Sequence, residues 1–319
     1  MELKHNPRSF LTGDEPFMNM TPVVTFHNGF EASLLFEQHH EGFIGIPHGG
    51  LAMGLCLDAW RTLKGPAYPV HARFKFGGSG VGIGDEAVFS VRSPEANSQD
   101  HLSARLIKQG DKTPYLSAEI FSASRAESEW LPSRPAEDFR PLPYYRNCFV
   151  CGHHRTVVGL QRRFRLHDAD GAPLIASSWR GDADDADRSQ FFLMGKDELH
   201  PAVLTSIFDE NTAWGGFMIT GSAGLSVRME LTVLRPVKKH EHLMFLGRPA
   251  GIRGNPKSPR FFKAEGAVLG MADPLSPELV AYGAGEWVIL GQYTEQIKKN
   301  LLPDGDWDWI FTAARGDSA

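Results

Sequence analysis

Apolar positions fall into two kinds of segment along the chain. Over Leu51–Leu63 (LAMGLCLDAWRTL) and Ala202–Met218 (AVLTSIFDENTAWGGFM) they cover most of a helical wheel, and a helix apolar nearly all round is a buried one. Elsewhere apolar and polar residues alternate, the pattern of strands with one face on a core. His71–Phe76, Glu86–Ser93, Leu102–Gly110 and Pro114–Ser124 follow the first helix, while Ser226–Val237, His242–Ala250, Phe261–Met271 and Leu279–Leu290 follow the second. Each half thus reads as one apolar helix and a surplus of antiparallel-looking strands, which predicts an α+β unit whose sheet wraps the helix.

The halves repeat each other weakly on either side of LPSRPAEDFRPLPYYR (Leu131–Arg146). Prolines 132, 135, 141 and 143 among charges exclude a helix interior or a central strand there. Residues 132–147 are therefore the expected linker, between a first domain over 1–131 and a second over 148–302, with a tail over 303–319. A chain of 319 residues has room for about two domains of roughly 150 residues each.

Composition narrows partners more than fold. Apolar residues at 42% and charged residues at 22% are ordinary for a globular protein. A net charge of −5 leaves no basic excess for phosphates or anionic lipid, so neither nucleic acid nor membrane is an expected partner. No apolar run suits a signal peptide or a membrane span, and three cysteines do not make an even disulfide framework. A cytoplasmic location is the expectation.

Three segments, IPHGGLAMGLCLDAW (Ile46–Trp60), NCFVCG (Asn147–Gly152) and the Asp209–Glu210 pair, resemble the hotdog-fold acyl-CoA thioesterases of the phenylacetyl-CoA thioesterase-like type. The pattern of that family runs Cys-Phe-x-Cys-Gly, then His-x-Gly-Tyr-x-Gly-Ile-x-His-Gly-Gly, then an apolar run ending in Asp-Glu and an aromatic. Here it is split: HEGFIGIPHGG (His40–Gly50) lies in the first half, CFVCG (Cys148–Gly152) and FDENTAW (Phe208–Trp214) in the second. The resemblance implies two tandem hotdog domains, each a curved antiparallel sheet wrapping one long central helix. It also implies hydrolysis of an acyl thioester, with coenzyme A as part of the substrate and no separate cofactor.

Thioester hydrolysis asks for N–H donors to an oxyanion and a carboxylate that attacks or activates water. Helix N-termini supply such donors. At Pro47-His48-Gly49-Gly50 the chain enters the first helix, and glycine lets a ligand approach the backbone. Gly50 is the oxyanion candidate, with Gly49 against the substrate; the alternative is a tight turn that only starts a buried helix. In the resembled family the carboxylate lies nine positions after the motif histidine and faces the glycine loop of the other subunit. Nine past His200 is Asp209, but nine past His48 is Leu57, with Asp58 one place on. One place is a rotation of about 100°, so Asp58 is expected to point elsewhere. Pro201 and Ala202 stand where the second half would need glycines. One composite site follows, with Gly50 and His48 opposite Asp209 as base or nucleophile, and a degenerate counterpart at Ala202 and Asp58.

Each residue has a structural alternative. Asp209 reads equally as a buried carboxylate satisfied by a neighbouring loop, with Glu210 solvated beside it; for His48, holding the loop is favoured over donating to the thioester. Asn211 orients water or bonds a strand backbone, and Thr205 and Ser206 position the acyl group or bond a carbonyl one turn back. The acyl tail is expected in the seam between the helices, against Leu51, Leu55, Phe208 and Trp214. Arg235, with Arg228, Lys238 and Lys239, meets coenzyme A phosphates or guards an edge strand.

Cys148 and Cys151 lack the second pair of a zinc ribbon, so no metal is expected and CFVCG reads as a tight knuckle. His39, His40, His153 and His154 read as exposed loop histidines, Gly78–Gly84 as a turn, and Asp182–Asp187 as a solvated loop. The rival functions are a hotdog hydratase or dehydratase and a non-catalytic acyl-thioester or lipid-binding module. Exposed sheet edges offer a route to homo-oligomers.

Overall fold

The structure, a computed structural model, describes residues 18, 20–26, 28–78, 80–93, 100–124, 140–169, 172–181, 183–255, 258–302 and 309–310. In the first half, β1 (Met20–Phe26) and β2 (Gly29–Leu35) precede a 3-10 turn (Gln38–His40), a small hairpin of β3 (Glu41–Phe43) and β4 (Ile46–Pro47), and the helix α1 (Gly49–Lys64). Then come β5 (Val70–Phe76), β6 (Glu86–Arg92), β7 (His101–Lys108) and β8 (Leu116–Ser122). The second half opens with β9 (Arg140–Pro141), β10 (Tyr144–Tyr145), β11 (Arg165–Ala169), β12 (Ala172–Arg180), the short α2 (Ala186–Ser189), β13 (Leu193–Met194) and β14 (Glu198–Leu199). It continues with α3 (Pro201–Thr220), β15 (Gly224–Val233), β16 (His242–Asn255), β17 (Ser258–Gly270), β18 (Glu278–Ile289), α4 (Gly291–Asn300) and β19 (Leu301–Leu302). Most of the expected linker and tail lies outside the described residues.

Among the described residues, 13 strands form one antiparallel sheet in the order β1-β2-β6-β7-β8-β5-β15-β18-β17-β16-β12-β11-β9, and the others pair as β3-β4, β10-β19 and β13-β14. The halves join at β5 and β15, whose register runs from Val70 opposite Val233 to Lys75 opposite Arg228. Alternation did what period 2 requires: in β5, Val70, Ala72 and Phe74 are buried, and in β7, Leu102, Ala104 and Leu106. The proline-bearing β9 sits at the sheet edge, where a missing N–H costs no ladder bond.

The two helices carry the core. In α1 the residues from Gly50 to Trp60 are all buried, and α3 is buried along nearly its whole length. They pack against each other with β7 and β8 over α1, and β12, β16 and β17 over α3. A Cβ built on Gly50 would overlap the Ser206 backbone, and one on Gly54 that of Ala202. Glycine at these two points lets the helices cross in backbone contact. The pairing of 50 with 206 and of 54 with 202 makes the crossing antiparallel, which sets the N-terminus of each helix beside the ninth or tenth residue of the other. That juxtaposition builds the site.

Two surface expectations are corrected. His40 is fully buried, its Nδ1 accepting the Glu37 N–H at 2.9 Å, so it closes the 3-10 turn instead of lying in an exposed loop. Asp185, within the acidic run, is buried against Arg162, which donates to its Oδ2 at 2.7 Å. A carboxylate so paired is part of the packing, not solvated.

Candidate active site

Both central helices are capped by a histidine. His48 Nδ1 accepts the Gly50 N–H at 3.1 Å, and His200 Nδ1 accepts the Ala202 N–H at 3.0 Å. An acceptor at this position satisfies one of the N–H groups that a helix start leaves unpaired. The antiparallel crossing then brings the α3 carboxylates to His48: Asp209 Oδ2 lies 3.8 Å from its Nδ1 and Glu210 Oε2 3.5 Å from its Nε2. Asp209 is held from one further side, by the Ser226 hydroxyl donating to Oδ1 at 2.9 Å. Burial raises its pKa above the ordinary 3.8; His48 and the Ser226 hydroxyl act against that rise, and Glu210 adds to it.

These groups form one wall of a cavity of about 530 Å³, within the range of small-molecule sites. His48, Gly49, Asp209, Glu210, Ser226, Tyr115, Cys148 and Cys151 contribute its polar part; Phe43, Phe76, Val81, Trp214, Phe217 and Trp287 supply apolar wall. Burial pushes the Tyr115 hydroxyl well above its usual pKa, so it stands in the site as a neutral donor. The Gly49 N–H, first of α1, has no hydrogen-bond partner among the described residues. A Cβ there would come within 3.2 Å of Asp209 Oδ2 and of the Phe76 ring.

Several residue assignments change. Gly50 is not in the cavity lining: its N–H serves His48 and its Cα lies on Ser206, so Gly49 holds the open donor. Leu51, Leu55 and Phe208 are buried in the core and do not line the cavity, because their faces of the helices meet the sheet and the other helix; Trp214 does line it. Thr205 donates to the Gly50 carbonyl at 2.6 Å and so ties the helices together. Asn211 donates to the Ile175 carbonyl at 3.3 Å in the core, and neither it nor Thr205 reaches the cavity. Glu210 is not solvated, since its Oε2 also accepts the Cys148 thiol at 3.1 Å.

The pseudo-equivalent site is a cavity of about 20 Å³, filled by Trp60, Tyr68, Met194, Leu199 and Leu204. Asp58 is not turned away: its Oδ2 faces His200 Nε2 at 3.4 Å, as Glu210 faces His48. The group missing from this site is the counterpart of Asp209, replaced by the buried Leu57. The counterpart of Gly49 is Pro201, which has no N–H to offer. Base position and donor position are thus lost together. Arg235 lies at this filled site, not at the open one, bonded to Glu241 at 3.0 Å and to Glu278 at 3.0 Å. Lys238 and Lys239 pair with Glu198 and Asp197 nearby.

Gly77, Gly78, Gly80, Val81, Tyr115, Ser226 and Trp287, which reach the cavity from strand ends and a loop, are not expected from the sequence. One usable signal was present: an acid ten places after each capping histidine, Asp58 after His48 and Glu210 after His200. It repeats in both halves, whereas the count of nine does not.

Among solved structures, an acyl-CoA thioesterase II TesB2 from Mycobacterium marinum is 14% identical, with a TM-score of 0.51 over 85% of this chain and 95% of its own. A protein of unknown function with a hot dog fold from Alicyclobacillus acidocaldarius is 13% identical, with a TM-score of 0.52 over 85% of this chain and 96% of its own. The fold is a double hotdog. A GphF dehydratase variant is also similar, at 13% identity and a TM-score of 0.53 over 84% of this chain and 97% of its own. No protein-family profile and no curated protein sequence matches the chain. Among the described residues, no helix is long and apolar enough to cross a membrane.

Proposed function

We propose that this double-hotdog protein hydrolyses an acyl thioester at its one open composite site. The observation that carries the reading is the meeting, in a mostly apolar cavity, of an unpartnered helix N-terminal N–H at Gly49 and a buried carboxylate, Asp209, from the other half. The thioester carbonyl oxygen would take the Gly49 N–H, where the helix dipole favours the charge that develops on it. The Asp209 carboxylate, held by the Ser226 hydroxyl and beside His48, would attack the carbonyl carbon or draw a proton from a water that attacks. The C–S bond then breaks, and water's atoms divide between a carboxylic acid and a thiol. Aromatic and aliphatic walls suit an apolar acyl group, and the similarity to a thioesterase II agrees with the thioester class.

The test is thiol release from short, medium, long and aryl acyl-CoA esters, with wild type beside Asp209→Asn. Release that the substitution abolishes in a folded protein is the expected result. No release across the panel, with saturable acyl-CoA binding retained, would overturn hydrolysis in favour of a binding module.

One observation favours a second reading. His48 and Asp209, 3.8 Å apart on one cavity wall, form an acid–base pair that also suits addition or elimination of water beside a thioester carbonyl. Interconversion of 3-hydroxyacyl and enoyl thioesters without thiol release would establish that chemistry instead.

A further inference from the structure

The CFVCG segment has a geometry that a tight turn alone does not require. The N–H groups of Val150 and Cys151 both donate to Cys148 Sγ, at 3.3 and 3.4 Å, and the Gly152 N–H closes back on the Cys148 carbonyl at 2.9 Å. A Cβ on Gly152 would come within 2.5 Å of the Arg146 and Cys148 carbonyls, so the turn needs glycine. Two backbone donors on one sulfur act against the rise that burial imposes on the Cys148 thiol and would remain as charge-assisted hydrogen bonds on a metal-bound thiolate.

Other ligand-type atoms converge on that sulfur. Glu210 Oε2 is 3.1 Å from Cys148 Sγ and 3.5 Å from His48 Nε2. The ligating atoms of His48, Cys148 and Glu210 all lie within 4.8 Å of one another. Cys151 stands outside that group of three, its thiol directed at the Tyr145 carbonyl at 4.0 Å, and would turn from that carbonyl to join them as the fourth donor. All four residues line the cavity, and its described lining holds two carboxylates, Asp209 and Glu210, but no Lys or Arg. Arg155, which packs on Phe149 and donates to the carbonyls of Asn147 and His39, is not part of that lining. Buried Asp209 and partly buried Glu210 thus share one histidine, with Arg155 as the cation that interacts with both sulfurs from outside the lining.

We propose that Cys148, Cys151, Glu210 and His48 bind one thiophilic divalent cation, of which Zn²⁺ is the first candidate, in the wall of the cavity. Two sulfurs, an imidazole nitrogen and a carboxylate oxygen are a donor set that suits Zn²⁺. As the metal–sulfur bonds form, each cysteine releases its proton to solvent. For Nε2 of His48 to ligate, the ring proton moves to Nδ1, which gives up the Gly50 N–H it accepts in the metal-free site and faces Asp209 Oδ2 3.8 Å away. Asp209 would then orient a metal-bound histidine, the usual outer-shell partner of such a ligand. The sequence argument against metal counted cysteines and looked for a second pair; the fold supplies the other two ligands from α1's cap and from α3. The inference is independent of hydrolysis, and its test reads the metal itself.

The test uses the full chain, stripped by chelator and titrated with Co²⁺, then Zn²⁺. Expected are uptake of one Co²⁺ per chain with a sulfur-to-cobalt charge-transfer band, displacement by Zn²⁺, and release of about two protons per Zn²⁺. Cys148→Ser and Cys151→Ser should each weaken uptake by about tenfold or more and diminish the band, while Glu210→Gln weakens uptake and keeps the band. Cys56→Ser, in the buried core of α1, should change nothing. Circular dichroism checks that each variant folds, and if the cysteine variants do not, the wild-type spectrum decides alone. No stoichiometric uptake by wild type, uptake without the charge-transfer band, or uptake that both folded cysteine variants retain would overturn the proposal.

Discussion

Asp209 of the second half brings its Oδ2 to 3.8 Å from Nδ1 of His48 in the first, and Glu210 brings its Oε2 to 3.5 Å from Nε2 of the same ring. One histidine is thus held between adjacent carboxylates of a helix it does not belong to. At the mirror position His200 meets Asp58 at 3.4 Å but has Leu57 where Asp209 would stand. The difference between the halves comes down to that one carboxylate and to Pro201 in place of Gly49.

Asp209→Asn should therefore lower thioester hydrolysis by about 10² to 10⁴-fold, the usual weight of a positioned acid–base group. Asp58→Asn, at the filled site, should leave the rate within about twofold. Thiol-release assays on both variants check the pair. Equal losses would mean that the site is not composite in the way described.

The pH profile follows from the buried state of Asp209. Its pKa is raised above 3.8, mainly by burial, and the base is its ionised form, so kcat/KM should rise with pH through an apparent pKa above that value. Stability runs the other way: a raised native pKa means the folded state holds the proton longer than the unfolded chain. That contribution is present below the unfolded pKa and is lost as pH rises through the native one. Asp209→Asn should accordingly gain in Tm relative to wild type at neutral pH, with the difference shrinking as pH falls toward 3.8. Thermal melts across pH check the sign.

Gly49 and Gly50 should separate under substitution. A Cβ on Gly50 overlaps the Ser206 backbone, so Gly50→Ala must push α1 from α3 and should cost about 1–3 kcal/mol, as overpacking does. On Gly49 the Cβ meets the Asp209 carboxylate and the Phe76 ring at 3.2 Å. Gly49→Ala should disturb the base and lower kcat by about 10²-fold or more, of the order seen when a catalytic donor is displaced, with a smaller loss of stability. Urea denaturation and steady-state kinetics read the two effects apart.

Arg235→Ala should leave KM for acyl-CoA esters within about twofold, because Arg235 sits at the filled site. Its loss leaves Glu241, with an 11% exposed side chain, without a guanidinium partner, and a half-buried carboxylate left unpaired is destabilising. The expected signature is a lowered Tm with unchanged kinetics. A KM rise at unchanged Tm would return Arg235 to the substrate.

Much of the fold is legible in the sequence. Nearly all-round apolar character at Leu51–Leu63 and Ala202–Met218 marked both central helices, and period-2 alternation marked the strands of each half, because these patterns report burial directly. The two halves of the site, histidine cap with glycines in one and Asp209 in the other, were also visible, since helix starts carry their own chemistry in sequence. What tertiary structure alone decided was partnership. Burial periodicity does not say which buried neighbour a side chain meets, so Leu51, Leu55 and Phe208 went to the core where a cavity wall was expected. Nor does the helical angle of Asp58 show that the opposing helix carries a histidine to receive it, for that depends on where Gly50 and Gly54 let α1 and α3 cross. Ser226, Tyr115 and the Cys148–Cys151 knuckle reach Asp209 and Glu210 only through long-range strand pairing and packing, which no local pattern encodes.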